Sequence, residues 1–252
     1  MSEPDRCSAP YRVRFDECRP DGLIRTSVLL RYTQDLAGVH SSSRGFTRAW
    51  YAERGLTWLV RAAEVEVLGP IGHGTELVGT TRVAGWRRVW ARRRTDFVDE
   101  AGSPVAEVRI DWVLLDARGA PTRIPAEFEP AFGAAPTTVG LLRVDLGDVP
   151  ADAVRSSRTV RPQELDPMDH VNNAVYADWL DEAILATGGS GGEAVGAIPR
   201  LARLEYARAA APGATVDADV WAADGGWSCR LSDADGDLLR ARLEPLPGHA
   251  AG

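Results

Sequence analysis

The chain has 252 residues, 44% of them hydrophobic and 26% charged, and a formal net charge of -7. That size and balance suit a folded protein of one large domain or two small ones. The acidic surplus argues against general affinity for nucleic acid, whose binding depends on neutralising phosphate, and no window approaches the ~18 uninterrupted apolar residues of a membrane span.

The first residues, "MSEPDRCSAPYRVRF", carry neither an apolar signal core nor an acid-free transit pattern, so the cytoplasm is the expected compartment. Cys7, Cys18 and Cys229 are odd in number, scattered, and without CxxC spacing or neighbouring histidines. Neither a disulfide framework nor a metal site is expected of them. All 29 basic residues are arginine, which excludes a Schiff-base or P-loop lysine.

In chain order, "YRVRFDE" at 11–17 alternates like a strand. After a Pro-Asp-Gly turn, Val28, Leu29, Tyr32, Leu36 and Val39 fall on one helical face. Four strand-like runs follow: "LTWLVRAAEVEVL", "ELVGTTRVAGW", "RVWARRRTDFVD" and "PVAEVRIDWVLLD", with turn chemistry at 99–102 and 116–119. The stretch 126–154, rich in Ala, Pro and Gly, reads as a linker longer than ordinary connections.

The second half repeats the order. "RTVRPQEL" reads as a strand, "NAVYADWLDEAILATG" as a helix ending in glycines, and "PRLARLEYARA", "ATVDADVWAA", "WSCRLSDADG" and "DLLRARLEPL" as strands. One helix and a run of antiparallel strands, written twice at a spacing of about 145 residues, is an internal repeat. A long helix lying on an antiparallel sheet is an α+β solution, and two such units can share one sheet. The expected division is an N-terminal unit over 8–125, the linker over 126–154 and a C-terminal unit over 155–247.

Chemistry concentrates in "DPMDHVNN" at 166–173, just before the second helix. A carboxylate such as Asp166 can activate water or attack a carbonyl, His170 can share its proton, and the helix-start amides of Val171, Asn172 and Asn173 can hold an oxyanion. The plainer reading is an ordinary N-cap at Asn172 or Asn173 with Asp169 as a dipole partner.

Strand, "D-x-x-x-H-V-N-N-x-x-Y-x-x-W", helix and sheet resemble the hotdog fold, and the tandem arrangement resembles the acyl-acyl carrier protein thioesterases. The likeness extends to "TQDLAGVH" (33–40), "LTWLVRAAEVEV" (56–67) and "DWVLLDARGAPTRIP" (111–125) in the first half, and to "LEY" at 204–206 in the second. The resemblance implies a tandem hotdog whose second unit is catalytic through Asp166 and His170, and whose first unit shapes an acyl pocket with Trp50 and Trp58 as candidate walls. It implies hydrolysis of an acyl thioester, most simply a fatty acyl-acyl carrier protein, with coenzyme A thioesters also open and no metal or other cofactor. A dehydratase-like hotdog enzyme and a non-catalytic acyl binder are the alternatives. The chain departs from plant-type members at Met168, where they carry a catalytic Asn, and at Ala209 and Ala210, where they carry an acid and a thiol. In the first half Asp21 stands at the apparent equivalent of Asp166, with "GLIRTS" in place of the histidine and asparagines, so no chemistry is expected there. Either an internally paired monomer or a homodimer is compatible with hotdog pairing.

Arg87, Arg88, Arg92, Arg93 and Arg94 crowd "WRRVWARRR" in an acidic protein, so they are candidates to dock an acidic carrier protein. Three other signals are set aside. "GGSGG" at 188–192 matches a nucleophile elbow around Ser190, but a helix precedes it and only His249 follows, so it reads as a flexible C-cap loop. "DADGD" at 233–237, with Glu244 downstream, lacks the sixth-position glycine of a calcium loop, where Leu238 stands. His73 sits in a glycine-rich turn without ligand partners.

Overall fold

The computed structural model describes residues 5–133 and 140–247; His249 and part of the expected linker lie outside them. β1 (Arg6–Arg12) leads through a 3-10 turn at Phe15–Glu17 into α1 (Thr26–Ser43) and the short α2 (Arg48–Glu53). β2 (Thr57–Val67), β3 (Glu76–Arg87), β4 (Trp90–Asp99) and β5 (Pro104–Leu115) follow, then α3 (Phe128–Phe132). The second half runs β6 (Val154–Thr159), a 3-10 turn at Pro162–Glu164, α4 (Val175–Leu185), α5 (Gly189–Gly196), β7 (Arg200–Tyr206), β8 (Thr215–Ala223), β9 (Gly226–Asp233) and β10 (Gly236–Pro245).

All these strands form one antiparallel sheet of ten, ordered β1-β3-β4-β5-β2-β7-β10-β9-β8-β6. The two halves meet where β2 pairs with β7, with Ala63 opposite Leu204. On the inner face α1 and α4 bury into one continuous apolar core. Val28, Leu29, Tyr32 and Leu36 are buried as the spacing predicts, but Val39 is 48% exposed and His40 takes a buried place instead. A 3.6-residue period carries the stripe from Leu36 to position 40. The helices run antiparallel: Ser27 donates to Asp178 at 2.5 Å, and farther along α1 Gln34 meets Asn172.

On the outer face alternate strand residues are charged and paired. Glu64 accepts from Arg109 at 2.5 Å and from Arg203 at 3.0 Å, tying β5, β2 and β7 together. The stretch read as a linker is fastened to this face. Leu142 N–H donates to Asp111 at 2.8 Å, and Val144 N–H to Glu205 at 2.8 Å. Burial acts to raise the Glu205 pKa, but the Val144 N–H and Arg143 hold it below its ordinary value.

Three sequence readings need correction. The first strand ends at Arg12 and the sixth at Thr159; the residues after them turn in 3-10 geometry. The "GGSGG" segment opens α5 rather than forming a loop. Gly191 is needed there, since a Cβ would lie 2.3 Å from the Ile184 carbonyl oxygen. Finally, the repeat register is not that of Asp21. The bridges Cys18–Ile24 and Leu165–Val171 correspond, as do Glu17 and Glu164, whose carbonyls accept the Arg25 and Asn172 N–H groups; every pair is offset by 147 residues. Arg19, not Asp21, is the counterpart of Asp166.

Candidate active site

Residues 166–173 form a tight hairpin, not the first turn of a helix. Its arms are held by Asp166 N–H on the His170 carbonyl at 2.8 Å and Asn172 N–H on the Glu164 carbonyl at 2.9 Å. At the tip Asp169 takes a φ of 60°, its N–H on the Asp166 carbonyl, and Asp166 Oδ1 accepts the Met168 N–H at 2.8 Å. α4 then starts at Val175. Asn172 prepares it, its Oδ1 accepting the Ala174 N–H at 2.9 Å. Of the three expected oxyanion amides, that of Asn172 is already engaged by Glu164. Those of Val171 and Asn173 have no acceptor among the described residues.

Beside this hairpin a cavity of about 680 Å3 opens between α1, α2, α3 and the inner face of β2 to β5. That volume suits a small-molecule site. Asp166, Met168, Asn172 and Gln34 stand on its wall together, and Asp166 is the only carboxylate among the described lining residues. Gln34, contributed by α1, lies 3.5 Å from Asn172 through its Oε1, while its Nε2 is buried without a partner. The apolar wall comes from Phe46, Trp58, Phe128 and Phe132; Phe46 stacks on Phe128 with ring centroids 4.1 Å apart. Tyr51 supports it, its hydroxyl accepting Trp58 Nε1–H at 3.1 Å and lying 3.0 Å from Ser41.

The expected residues divide. Trp58 lines the cavity, but Trp50 does not: it packs behind Phe46 and Phe128, with Arg54 4.2 Å over its ring. His170 is exposed, outside the cavity lining, and its ring has no hydrogen-bond partner among the described residues. Met168 is half exposed at the cavity rim, and Ala210 is buried, its N–H on the Tyr176 hydroxyl at 2.8 Å. The arginine run also divides, because neighbours on a strand face opposite sides. Arg92 grips Asp111 at 2.6 and 2.7 Å, Arg94 bonds Asp96 and Glu107, and Arg93 is buried facing inward. Arg87 and Arg88 alone of the five are exposed.

Sequence reasoning missed Gln34 and the two phenylalanines of α3. A glutamine inside an amphipathic helix carries no motif, and phenylalanines in a Pro-rich stretch resemble linker. Among the described residues no group of three or more His, Cys, Asp or Glu is placed to hold a metal ion, and no helix is long and apolar enough to cross a membrane.

The family description "Acyl-ACP thioesterase N-terminal domain" matches residues 5–131, and "Acyl-ACP thioesterase C-terminal domain" matches residues 149–230. The chain belongs to the acyl-ACP thioesterase family. It is accordingly a thioester hydrolase, and the family's usual substrate is an acyl-ACP. Solved structures agree in fold. A Lactobacillus plantarum protein described as an oleoyl thioesterase superposes with a TM-score of 0.86 at 18% identity, covering 98% of each chain. An acyl-ACP thioesterase from Bacteroides thetaiotaomicron gives 0.79 at 15% identity, covering 95% of this chain and 97% of that one. The 12:0-ACP thioesterase from Umbellularia californica gives 0.78 at 22% identity, covering 95% and 96%. The fold is therefore the tandem hotdog. No curated protein matches this sequence.

Proposed function

We propose that Asp166 is the group that drives hydrolysis, with the acyl chain lying in the aromatic cavity and the thiol portion leaving through the mouth beside Met168. The observation that carries this reading is that the only carboxylate among the described lining residues stands beside two amide side chains, those of Asn172 and Gln34. Asp166 takes a proton from water as that water attacks the thioester carbonyl. The oxyanion is received by the free Val171 and Asn173 N–H groups, and Gln34 Nε2–H orients the water or the carbonyl oxygen. Collapse breaks the C–S bond; the thiolate takes up a proton, and free acid and thiol depart.

His170, on the other arm of the hairpin, serves from the solvent side as the proton's route between Asp166 and bulk water. The carrier is an acyl carrier protein docked against the exposed Arg87 and Arg88, with Arg143 beside them at the same surface recess. The cytoplasm is the compartment where such carriers would meet it.

The test is thiol release from acyl-ACP and acyl-coenzyme A thioesters by wild type, Asp166→Asn and His170→Ala. Asp166→Asn is expected to lose ~10²–10⁴ in kcat, the usual worth of a positioned general base, and His170→Ala markedly less. Undiminished turnover in Asp166→Asn overturns the assignment.

A further inference from the structure

The far part of the cavity carries a feature that a plain hydrocarbon chain does not need. Arg93 lines it and is 8% exposed. Its Nη1 donates to His40 Nδ1 at 2.8 Å, and His40 Nε2 bonds Asp5 at 2.8 Å. With Nδ1 accepting, the imidazole is the neutral Nε2–H form, and burial keeps it so by lowering its pKa. Asp5 is also ion-paired with Arg44, so its charge is already matched, and it reaches Arg93 only through the neutral His40 ring. Phe132 presents its face 5.8 Å from the guanidinium. No carboxylate touches Arg93 among the described residues.

A second unanswered donor faces the same wall. Trp112 Nε1 is buried without a partner. Trp112 sits on β5 two residues beyond Ile110, which is paired with Arg93, so both side chains leave the same face of the sheet. A buried cation whose only hydrogen-bond partner among the described residues is a neutral imidazole, and a buried N–H with no acceptor, both on the wall of one cavity, favour a ligand that brings an anionic acceptor.

We infer that the cavity is built for an acyl chain bearing an anionic group, a carboxylate in its simplest form, at the end remote from the thioester, received by Arg93 and Trp112. The inference rests on the reading that the cavity holds the acyl chain. Along α1, Gln34 at the reacting end and His40 beside Arg93 are six residues apart, ~9 Å of rise. At ~1.2 Å per bond of extended chain, taken from the backbone's reach, that spacing corresponds to on the order of seven to ten bonds once the offset between helix and sheet is included.

The experiment compares the intact protein with Arg93→Met and Arg93→Lys on two readouts. Calorimetry measures binding of saturated dicarboxylic acids and monocarboxylic acids of equal length, from eight to twelve carbons. Thiol release measures kcat/KM on the corresponding ω-carboxyacyl and acyl thioesters. Wild type should favour the ω-carboxylate by tenfold or more on both readouts. Arg93→Met should reverse that preference while still turning over the methyl-terminated chain, and Arg93→Lys should keep part of it. Equal or weaker binding of the dicarboxylic acids by wild type, or a preference unchanged in Arg93→Met, overturns the inference even if hydrolysis is rapid. Selective, Arg93-dependent binding without turnover of any thioester supports it while overturning the hydrolytic assignment at Asp166.

Discussion

Arg19 occupies in the first repeat the place that Asp166 occupies in the second. Where Asp166 faces an open cavity, Arg19 is turned into the protein, its Nη1 on the Val195 carbonyl of α5 and its Nη2 on Asp21 at 2.7 Å. The pseudo-twofold counterpart of the candidate active site is thus filled by its own side chains. Arg19→Ala is expected to lower the melting temperature by several degrees, since it strips the Val195 carbonyl and the nearby Asp181 of a buried partner, at a cost of ~1–3 kcal/mol. Turnover per folded molecule should not change. Differential scanning calorimetry beside thiol release checks both halves of that statement.

Asp181, the counterpart of Gln34 by the same offset, is buried at the filled site. Burial pushes its pKa up to about 6, against the pull of Arg200 and Arg19. A carboxyl raised in the folded state binds a proton that the unfolded chain has released between pH 4 and 6. Its stabilising contribution is therefore full below pH 4 and is lost as pH rises through about 6. Asp181→Asn should abolish that decline, so that its melting temperature gains on wild type between pH 4 and 7. Parallel curves over that interval would dismiss the idea.

Gln34 brings a buried amide from the first half to a hairpin of the second. Gln34→Leu keeps the volume and removes the donor. The expected result is a fall of about 10² in kcat, comparable to losing one preorganised donor, with KM changed far less. An unchanged kcat would show that the amide only packs.

Arg87 and Arg88 are the members of the arginine run left facing solvent. Arg87→Glu with Arg88→Glu should raise KM for carrier-borne substrates and weaken its dependence on salt, because rim charges act on encounter. The same thioester on a short pantetheine mimic should be unaffected. A KM that rises equally for both would point to distortion of β3 and β4 instead.

Asp111 is 2% exposed and holds Arg92 by two bonds as well as the Leu142 N–H. Breaking one partner of a buried pair leaves the other charge uncompensated, so Asp111→Ala should destabilise by ~3–5 kcal/mol. Chemical denaturation measures this directly. The loss should also loosen the 140–144 stretch from the sheet, visible as faster amide exchange at Leu142.

Much of the molecule is legible in its residues. Period-two runs placed eight of the ten strands, the 3.6-residue stripe placed both long helices, and "DPMDHVNN" marked the place where Asp166 stands. Those signals are local: alternation, helical spacing and turn residues act over a few positions, and a repeat shows as the same order written twice. What the chain could not disclose locally was decided by long-range contact. Gln34 reaches Asn172 across 138 residues, Arg93 reaches His40 across 53, and Phe128 and Phe132 leave an apparent linker to close a cavity. The meeting of Gln34 with the hairpin of Asp166, the filled counterpart at Arg19 and the buried cation in the cavity all depend on which side chains the paired sheet brings face to face. A one-dimensional pattern records which face a residue takes; what stands opposite that face is set only when the strands and helices pack.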